Sequence, residues 1–504
     1  MSRFYSAARR TLESTWLPWA IVAFGALIRL RTAAANGSLD VAEAALALNL
    51  RDRSFAQLLL PLDYDQGAPV GFLWIEKAAL LAFGPHDWAL RLFPVLASVA
   101  ALVLFLVLAR RLLPAAAVPV ALLLLAVSPP VIFYAAQVKQ YSSDVAITLA
   151  LILLVGAREG EPVSRARAVL LAVAGAVAIW LSHPAALVVG AIGLVLGFLA
   201  LRRRSTGEIL NLACVAAVWI ASLGALYEVS LRFLEGSAYL QGYWSGDLMP
   251  LPPRSIQDLE WFLYRPFEVF RDPVGLPFEG LAGAFGLVGA CVLLSGRRVL
   301  AFLLLAPIAT TLLASAVHAY PFGRRLILFL VPAFVACTAA GIEAFRARTW
   351  DAMPWASLLL LGSLLFDPVL PMSLRLVKPR PPEEMRPVMA ELAKSRLEGD
   401  VTYLYHDSQW PYLWYAPAYG LEGAPVVIGQ WSENDWERDL ADLEQLRGRP
   451  RVWLVFSHVW NAKADKSEED FFLFQLDRMG KRLESHRFAG SSVHLYDLSG
   501  ASAR

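Results

Sequence analysis

Apolar runs recur along this chain from Leu17 to about Pro371, and they constrain its fold more than any other feature. Each run is roughly 20 residues long, which is the length at which a helix crosses the hydrocarbon core of a bilayer. Composition agrees, because 57% of the residues are hydrophobic and 17% are charged, whereas soluble domains carry about 25% charged residues. The sequence therefore predicts a polytopic α-helical membrane protein.

Composition also excludes several classes of function. The formal net charge of +2 is too small to indicate a nucleic-acid partner. The three cysteines, Cys214, Cys291 and Cys337, all lie inside apolar runs, which leaves no disulfide, zinc or redox motif. The first run, LPWAIVAFGALIRL, has no small-residue cleavage site and is followed by further runs, so it predicts a membrane helix rather than a cleaved signal peptide.

Arginine clusters alternate with the apolar runs and predict the topology. Positive charge marks the cytoplasmic side of a membrane, so the N-terminus is predicted to be cytoplasmic and the C-terminal part extracytoplasmic, in the cell (inner or plasma) membrane. The clusters lie at 3–10, 110–111, 158–167, 202–204, 297–298 and 346–348. The predicted spans, about eleven, are 13–31, 89–109, 113–133, 143–157, 168–182, 184–201, 209–231, 280–295, 299–317, 326–344 and 355–370.

The pattern changes near Lys378, which predicts two domains. Residues 1–377 form the transmembrane domain, with long outer loops at 32–88 and 232–279, and residues 378–504 form a small extracytoplasmic α/β domain after the proline-rich linker VKPRPPEE. Strand and helix patterns alternate in the second domain. They predict helices at 383–397, 433–447 and 468–486, and strands in VTYLYH, PVVIG, VWLVFSH and SSVHLYDL.

Two carboxylates follow the first predicted span, in the stretch SLDVAEAALALNL. Asp40 and Glu43 have the spacing of a helix capping box, in which both side chains bind backbone N–H groups. The same spacing places them on one helix face, where a partly desolvated carboxylate can act as a general base. The two interpretations are compatible, since one acid can cap the helix while the other reacts.

Polar residues gather in the other segments predicted to lie on the outer side. Each has an ordinary alternative role: a solvated turn, a helix cap, a lysine reaching the membrane interface or a structural histidine beside proline. The candidate substrate-binding residues are Tyr64, Asp65 and Gln66 in PLDYDQGAP, Lys139 and Tyr141 in VKQYSSD, and His183 in WLSHP.

One arginine pair departs from the rule that positive charge marks the cytoplasmic side. Arg324 and Arg325, in HAYPFGRRL, are predicted to lie on the outer side, where arginine clusters are otherwise absent. Together with Tyr320 they suit capture of a phosphate group, because guanidinium binds phosphate in bidentate fashion. The alternative is general binding of anionic lipid headgroups.

These motifs together resemble the GT-C superfamily of membrane glycosyltransferases, and most closely the family 39 type that includes protein O-mannosyltransferases and the lipid A aminoarabinose transferase. The resemblance covers roughly residues 10–370. It rests on the order of the acidic stretch, PLDYDQGAP, FGPHDWALRLFP, VKQYSSD, WLSHP and YPFGRRLILFLVP. The α/β tail also resembles the outer domains of such enzymes.

The resemblance implies a function. The donor would be a sugar on a polyprenyl phosphate, and a carboxylate of the first outer loop would activate an acceptor hydroxyl of a lipid, glycan or protein, with inversion at the anomeric carbon. Arg325 matches the arginine of the family's Y-P-F-x-x-R pattern, and Lys139 and Tyr141 match its K-x-Y pattern. No cofactor is expected, and a divalent metal is left open because Asp63, Asp65, His86 and Asp87 lack diagnostic spacing.

The acidic stretch departs from the family pattern S-L-x-x-D-E-A. Without a gap, the family's Asp falls on Ala42 and its Glu on Glu43, while Asp40 lies two residues earlier. Asp40 is favoured as the base, through a shifted loop, since residues before a helix adjust more easily than those within it. The second possibility is that Glu43 acts as the base in place of the family's Asp. The third is that the protein is an inactive, lipid-binding member of the fold.

A transporter or flippase is the rival from another class. It predicts inverted repeats and ionisable residues at the centres of spans. In this sequence the ionisable residues lie at the ends of the predicted spans, which favours chemistry at the membrane surface. The expected partners are therefore membrane lipid, a polyprenyl-phosphate-linked sugar and an acceptor of unknown class.

Overall fold

The computed structural model describes residues 13–349, 353–377, 383–431, 436–459, 461–463 and 466–500. The N-terminal arginine cluster at 3–10 and most of the VKPRPPEE linker lie outside these residues. The helices are α1 Trp16–Ala34, α2 Val41–Asp52, α3 Val70–Phe83, α4 Asp87–Leu90, α5 Leu92–Leu112, α6 Ala117–Val127, α7 Pro129–Ala135, α8 Tyr141–Gly156, α9 Arg165–Leu181, α10 Ala185–Arg203, α11 Thr206–Leu226, α12 Arg232–Gly236, α13 Ala238–Trp244, α14 Ile256–Arg271, α15 Glu279–Ser295, α16 Arg298–Ala316, α17 Val331–Thr349, α18 Pro354–Val377, α19 Met385–Ser395, α20 Gln409–Tyr415, α21 Trp436–Glu444 and α22 Glu468–Met479. The strands are β1 Val401–Leu404, β2 Val426–Ile428, β3 Val452–Ser457, β4 Asn461–Lys463, β5 Lys466–Ser467, β6 Lys481–Phe488 and β7 Ser491–Asp497.

The residue contacts divide the chain into two units. The larger comprises Met1–Ala34, Ser54–Gly84 and Trp88–Lys378. The smaller comprises Ala35–Arg53, Pro85–Asp87 and Pro379–Arg504. The helix that begins after Asp40 therefore belongs to the same unit as the C-terminal sheet, although the sequence places it directly after the first span.

The larger unit is a bundle of apolar helices, and each predicted span coincides with a helix or a bent pair of helices. Six of the described helices are long and apolar enough to cross a membrane, or seven if α6 and α7 are counted as one span. These two helices meet at an angle of 56°, because Pro129 cannot continue the hydrogen bonding of the preceding helix. The protein is a polytopic α-helical membrane protein, as the sequence predicted.

One close helix crossing in the bundle depends on two glycines. A Cβ atom at Gly289 on α15 would collide with the carbonyl of Cys337 on α17, and one at Gly341 on α17 would collide with the carbonyl of Phe285. Small residues allow two backbones to approach in this way, which is a common basis of packing between membrane helices.

The smaller unit contains a mixed five-stranded sheet with the order β2-β1-β3-β7-β6. The strand β1 is parallel to β2 and β3, while β7 is antiparallel to β3 and β6. The predicted helix 468–486 is wrong beyond Met479, where Gly480 ends α22. From Lys481 to Phe488 the side chains alternate between exposed and half-buried, which is the two-residue period of an edge strand.

The helix α2 begins with the capping box that the sequence predicted. Asp40 Oδ1 accepts a hydrogen bond from the backbone N–H of Glu43 at 2.8 Å, and Glu43 Oε2 accepts one from the N–H of Asp40 at 3.2 Å. The preceding residue is also fixed, since the backbone N–H of Leu39 donates to the Tyr415 hydroxyl at 2.7 Å. The start of α2 is thus held both locally and by the C-terminal part of its own unit.

The glycine crossing yields a stability prediction. Gly289→Ala should lower the free energy of unfolding by about 1–3 kcal/mol, the usual cost of overpacking. The measurement is the thermal unfolding midpoint of the purified protein in detergent. Gly280→Ala, on the same helix but with nothing within 4 Å of its Cβ position, is the matched control and should unfold like the wild type. Equal midpoints for all three proteins would contradict the close crossing.

The capping box yields a second stability prediction. Asp40→Ala should cost roughly 0.5–2 kcal/mol, because it removes the acceptor for the N–H of Glu43. Asp40→Asn should leave stability nearly unchanged, since asparagine caps a helix as well as aspartate does. Thermal unfolding of both variants, side by side, measures the difference. Equal losses would show that charge, rather than capping, stabilises this helix start.

Candidate functional site

Lys139 and the PLDYDQGAP turn come together in the larger unit. Lys139 Nζ donates to Gln66 Oε1 at 2.8 Å, and Gln66 Nε2 donates to the carbonyl of Tyr64 at 3.0 Å. Tyr64 and Asp65 have positive φ angles, and Asp65 Oδ1 accepts a hydrogen bond from the Ser237 hydroxyl at 3.1 Å. Lys139 itself is buried. The turn therefore presents a polar side chain to a buried ammonium group.

Arg325 lies among aromatic rings. Its guanidinium is 4.9 Å from the ring centroid of Trp244 and 5.6 Å from that of Tyr243, and it interacts with the phenols of Tyr134 and Tyr141. The atom Nε is buried and has no hydrogen-bond partner among the described residues. Within that part of the chain no carboxylate forms an ion pair with Arg325. The site thus contains a cation that the described residues leave without an anionic partner.

Arg324 has different surroundings. Its Nε lies 3.3 Å from Asp247 Oδ2 in an ion pair, and 54% of its side chain is exposed. Its φ angle of 49° is in the left-handed region. Both arginines were predicted to capture phosphate, but among the described residues only Arg324 of the two has a carboxylate partner.

His183 is a neutral imidazole whose Nε2 has no hydrogen-bond partner among the described residues, whereas Tyr320 is held by a hydrogen bond. Burial lowers the pKa of His183 to about 4, so the ring is neutral at physiological pH. The Tyr320 hydroxyl donates to the carbonyl of Leu326 at 2.8 Å. This bond fixes Tyr320 against the segment that follows the arginine pair.

Several candidate residues of the larger unit were not predicted from the sequence motifs. Tyr134, Tyr243 and Trp244 surround Arg325, and the only sequence signal was their aromatic character beside predicted outer motifs. Glu76 and Lys77, adjacent on α3, are both buried. Burial raises the pKa of Glu76, whose carboxylate oxygens have no hydrogen-bond partner among the described residues. Desolvation favours the neutral form of such a carboxyl.

The smaller unit holds the acidic stretch and a charged cluster that the sequence did not indicate. Glu43 is buried, whereas Asp40 is only half-buried. Asp40 interacts electrostatically with Glu383 and His458. The hydrogen bond that His458 Nδ1 donates to Glu383 Oε1 raises the pKa of His458 to about 9, so the imidazole is protonated at neutral pH. Of the two candidate bases, Asp40 is therefore the more accessible and the one with a cationic neighbour.

Asp87, in the FGPHDW motif, has a structural role in the same unit. It is buried and accepts hydrogen bonds from Trp414 Nε1 at 3.0 Å and from the Tyr415 hydroxyl at 2.6 Å. The Tyr415 hydroxyl also accepts the bond from Leu39 described above. The three segments of the smaller unit are therefore joined by one hydrogen-bond network.

Comparison with solved structures identifies the fold. ArnT from Cupriavidus metallidurans, in a crystal structure bound to undecaprenyl phosphate, is similar with a TM-score of 0.56 and 15% identity, over 96% of this chain and 98% of that one. The oligosaccharyltransferase AglB from Archaeoglobus fulgidus, in complex with an inhibitory peptide and a dolichol-phosphate, gives a TM-score of 0.51 at 11% identity, over 88% of this chain and 70% of that one.

Comparisons of sequence alone add nothing to this, since no family model matches the chain and no curated protein matches it either. The similarity at these identities is one of fold, and it extends over nearly the whole chain. The protein has the fold of the GT-C superfamily of membrane glycosyltransferases, as its motifs predicted.

Proposed function

We propose that this protein is a glycosyltransferase that moves a sugar from a polyprenyl-phosphate donor to an acceptor hydroxyl on the extracytoplasmic side of the membrane. The observation that carries the proposal is Arg325, a cation among aromatic rings with no carboxylate partner within the described residues. Placing a charge in such surroundings is costly unless an opposite charge binds there. A phosphate monoester or diester supplies that charge, and the solved ArnT structure of the same fold holds undecaprenyl phosphate.

The proposed reaction is a single displacement. Asp40 accepts the proton of the acceptor hydroxyl, whose oxygen attacks the anomeric carbon of the sugar. The bond between that carbon and the phosphate oxygen breaks, and polyprenyl phosphate leaves with the electron pair. Arg325 stabilises the charge that develops on the phosphate. One C–O bond replaces another, so the step needs no redox cofactor, and inversion at the anomeric carbon follows from attack opposite the leaving group.

The two carboxylates of the acidic stretch are proposed to divide their roles. Glu43 is buried and closes the capping box, whereas Asp40 is more accessible and lies near protonated His458. These differences favour Asp40 as the base, despite Ala42 at the family's usual Asp position.

The assignment of the base predicts the outcome of an activity assay. Asp40→Asn should lower the release of polyprenyl phosphate from labelled polyprenyl-phosphate sugars by roughly 100-fold or more, the usual contribution of a general base. Glu43→Gln should keep most activity, because glutamine also completes a capping box. The assay uses the protein in lipid, a panel of sugars and host membrane extract as the source of acceptor.

The exposed Asp52 at the end of the same helix provides the matched control, and Asp52→Asn should behave like the wild type. Loss of activity in Glu43→Gln with activity retained in Asp40→Asn would assign the base to Glu43. If the folded wild-type protein binds polyprenyl phosphate but releases none from any of the sugar donors, the protein is a lipid-binding member of the fold instead.

The role of Arg325 predicts a change in lipid affinity. Arg325→Gln should weaken the binding of undecaprenyl phosphate about 10- to 100-fold, because it removes charge-assisted hydrogen bonds to the phosphate. Binding is measured in lipid nanodiscs, with undecaprenol as the control ligand without phosphate. Arg271→Gln, at an exposed arginine paired with Glu279, is the control variant. Equal affinity of wild type and Arg325→Gln, or equal losses for both ligands, would rule out the phosphate role.

A further inference from the structure

Asp247 is a buried carboxylate that ties three segments of the larger unit together. It ends a short 3₁₀ turn, Ser245–Asp247, and only 2% of it is exposed. Its Oδ1 lies 3.0 Å from Arg265 Nη1 on α14, and its Oδ2 lies 3.3 Å from Arg324 Nε. Its carbonyl also accepts a hydrogen bond from the backbone N–H of Phe322 at 2.7 Å. The turn is therefore bound to the arginine segment by both its side chain and its backbone.

The same short segment also carries the rings that stack on Arg325. Tyr243 and Trp244 directly precede the turn that ends at Asp247. Residues 243–247 thus contact both arginines, with aromatic rings on Arg325 and a carboxylate on Arg324. Position 323, just before the two arginines, accepts only glycine, because a Cβ atom there would collide with the Asp247 carboxylate.

The three arginines of this region differ in their carboxylate partners. Asp247 balances Arg324 and Arg265, and Arg265 has a second carboxylate partner in Glu268, at 3.2 Å. Arg325 takes part in none of these ion pairs within the described residues. The Asp247 carboxylate lies between two guanidinium groups and holds both. Without it, the largely buried Arg265 would keep only the more exposed Glu268 as a carboxylate partner among the described residues.

From this we infer that Asp247 is a positioning residue for the donor phosphate: it anchors residues 243–247 to Arg324, so that Arg325 is held against the aromatic rings and stays available to an anion. The inference rests on the proposed function, because it assumes that Arg325 binds the phosphate. Asp247 itself touches no substrate in this scheme.

A purely electrostatic role of Asp247 and a positioning role predict opposite changes in anion affinity when its charge is removed, so the inference can be tested. If Asp247 acted only through its charge, its removal would raise the positive potential and tighten the binding of an anion. If it positions Arg325, Asp247→Asn should weaken the binding of undecaprenyl phosphate roughly tenfold, as expected for residues coupled in one network. The measurement is the dissociation constant in lipid nanodiscs, with the thermal unfolding midpoint recorded for every variant.

A double-mutant cycle links the effect to Arg325. In the Arg325→Gln background, Asp247→Asn should cause no further loss of affinity. Glu268→Gln is the matched control, because it removes the other, more exposed carboxylate partner of Arg265, and it should bind like the wild type. If Asp247→Asn does not fold, the double variant Arg265→Gln/Asp247→Asn removes the opposite charge as well and should show the same tenfold loss.

The outcomes separate the inference from the proposed function. Unchanged or tighter binding by Asp247→Asn, or an equal loss in both backgrounds, overturns the positioning role while the phosphate role of Arg325 stands. Failure of the wild-type protein to bind undecaprenyl phosphate overturns both. Weaker binding that depends on Arg325 supports the inference.

Discussion

A hydrocarbon core offers no hydrogen-bond partners, and the rest of this structure depends on that constraint. Backbone groups in such surroundings must be satisfied within the chain, which leaves helices as the solution for the apolar runs. Polar side chains must likewise find partners inside the protein. Arg29, fully buried on α1, donates to the Ser98 hydroxyl and to the carbonyls of Gly25, Leu125 and Ala126. Its charge is thus accommodated by the helix bundle itself.

Arg325, unlike Arg29, is surrounded by aromatic rings. Aromatic rings pack on its guanidinium, but the described residues supply neither a carboxylate nor a partner for Nε. The hydrogen bonds of Arg29 are satisfied within the protein, whereas in the proposed function a bound anion supplies the missing partner of Arg325. The contrast between fully buried Arg29 and half-buried Arg325 is the physical basis for assigning a structural role to the first and for proposing donor binding at the second.

The acidic stretch illustrates how a structural role and a chemical role share a few residues. The capping box at Asp40 and Glu43 was predictable because it depends only on residues three positions apart. The sequence could not indicate that Glu383 and His458 lie near Asp40, because more than 340 positions separate Asp40 from either of them. The strand Lys481–Phe488 escaped prediction for a related reason: its identity is decided by pairing with β7 rather than by its own polar residues.

The sequence by itself determined the apolar helices, the GT-C fold, most elements of the C-terminal sheet and the cap of α2, because each depends on local hydrophobic period, local hydrogen bonding or motif order. Only the tertiary structure decided that α2 belongs to the unit of the C-terminal sheet, and that adjacent Arg324 and Arg325 have different partners. Those partners, Asp247, Tyr243 and Trp244, come from a segment about 80 positions away. Contacts over such distances are set by how the helices pack, and neighbouring residues in a sequence carry no record of it.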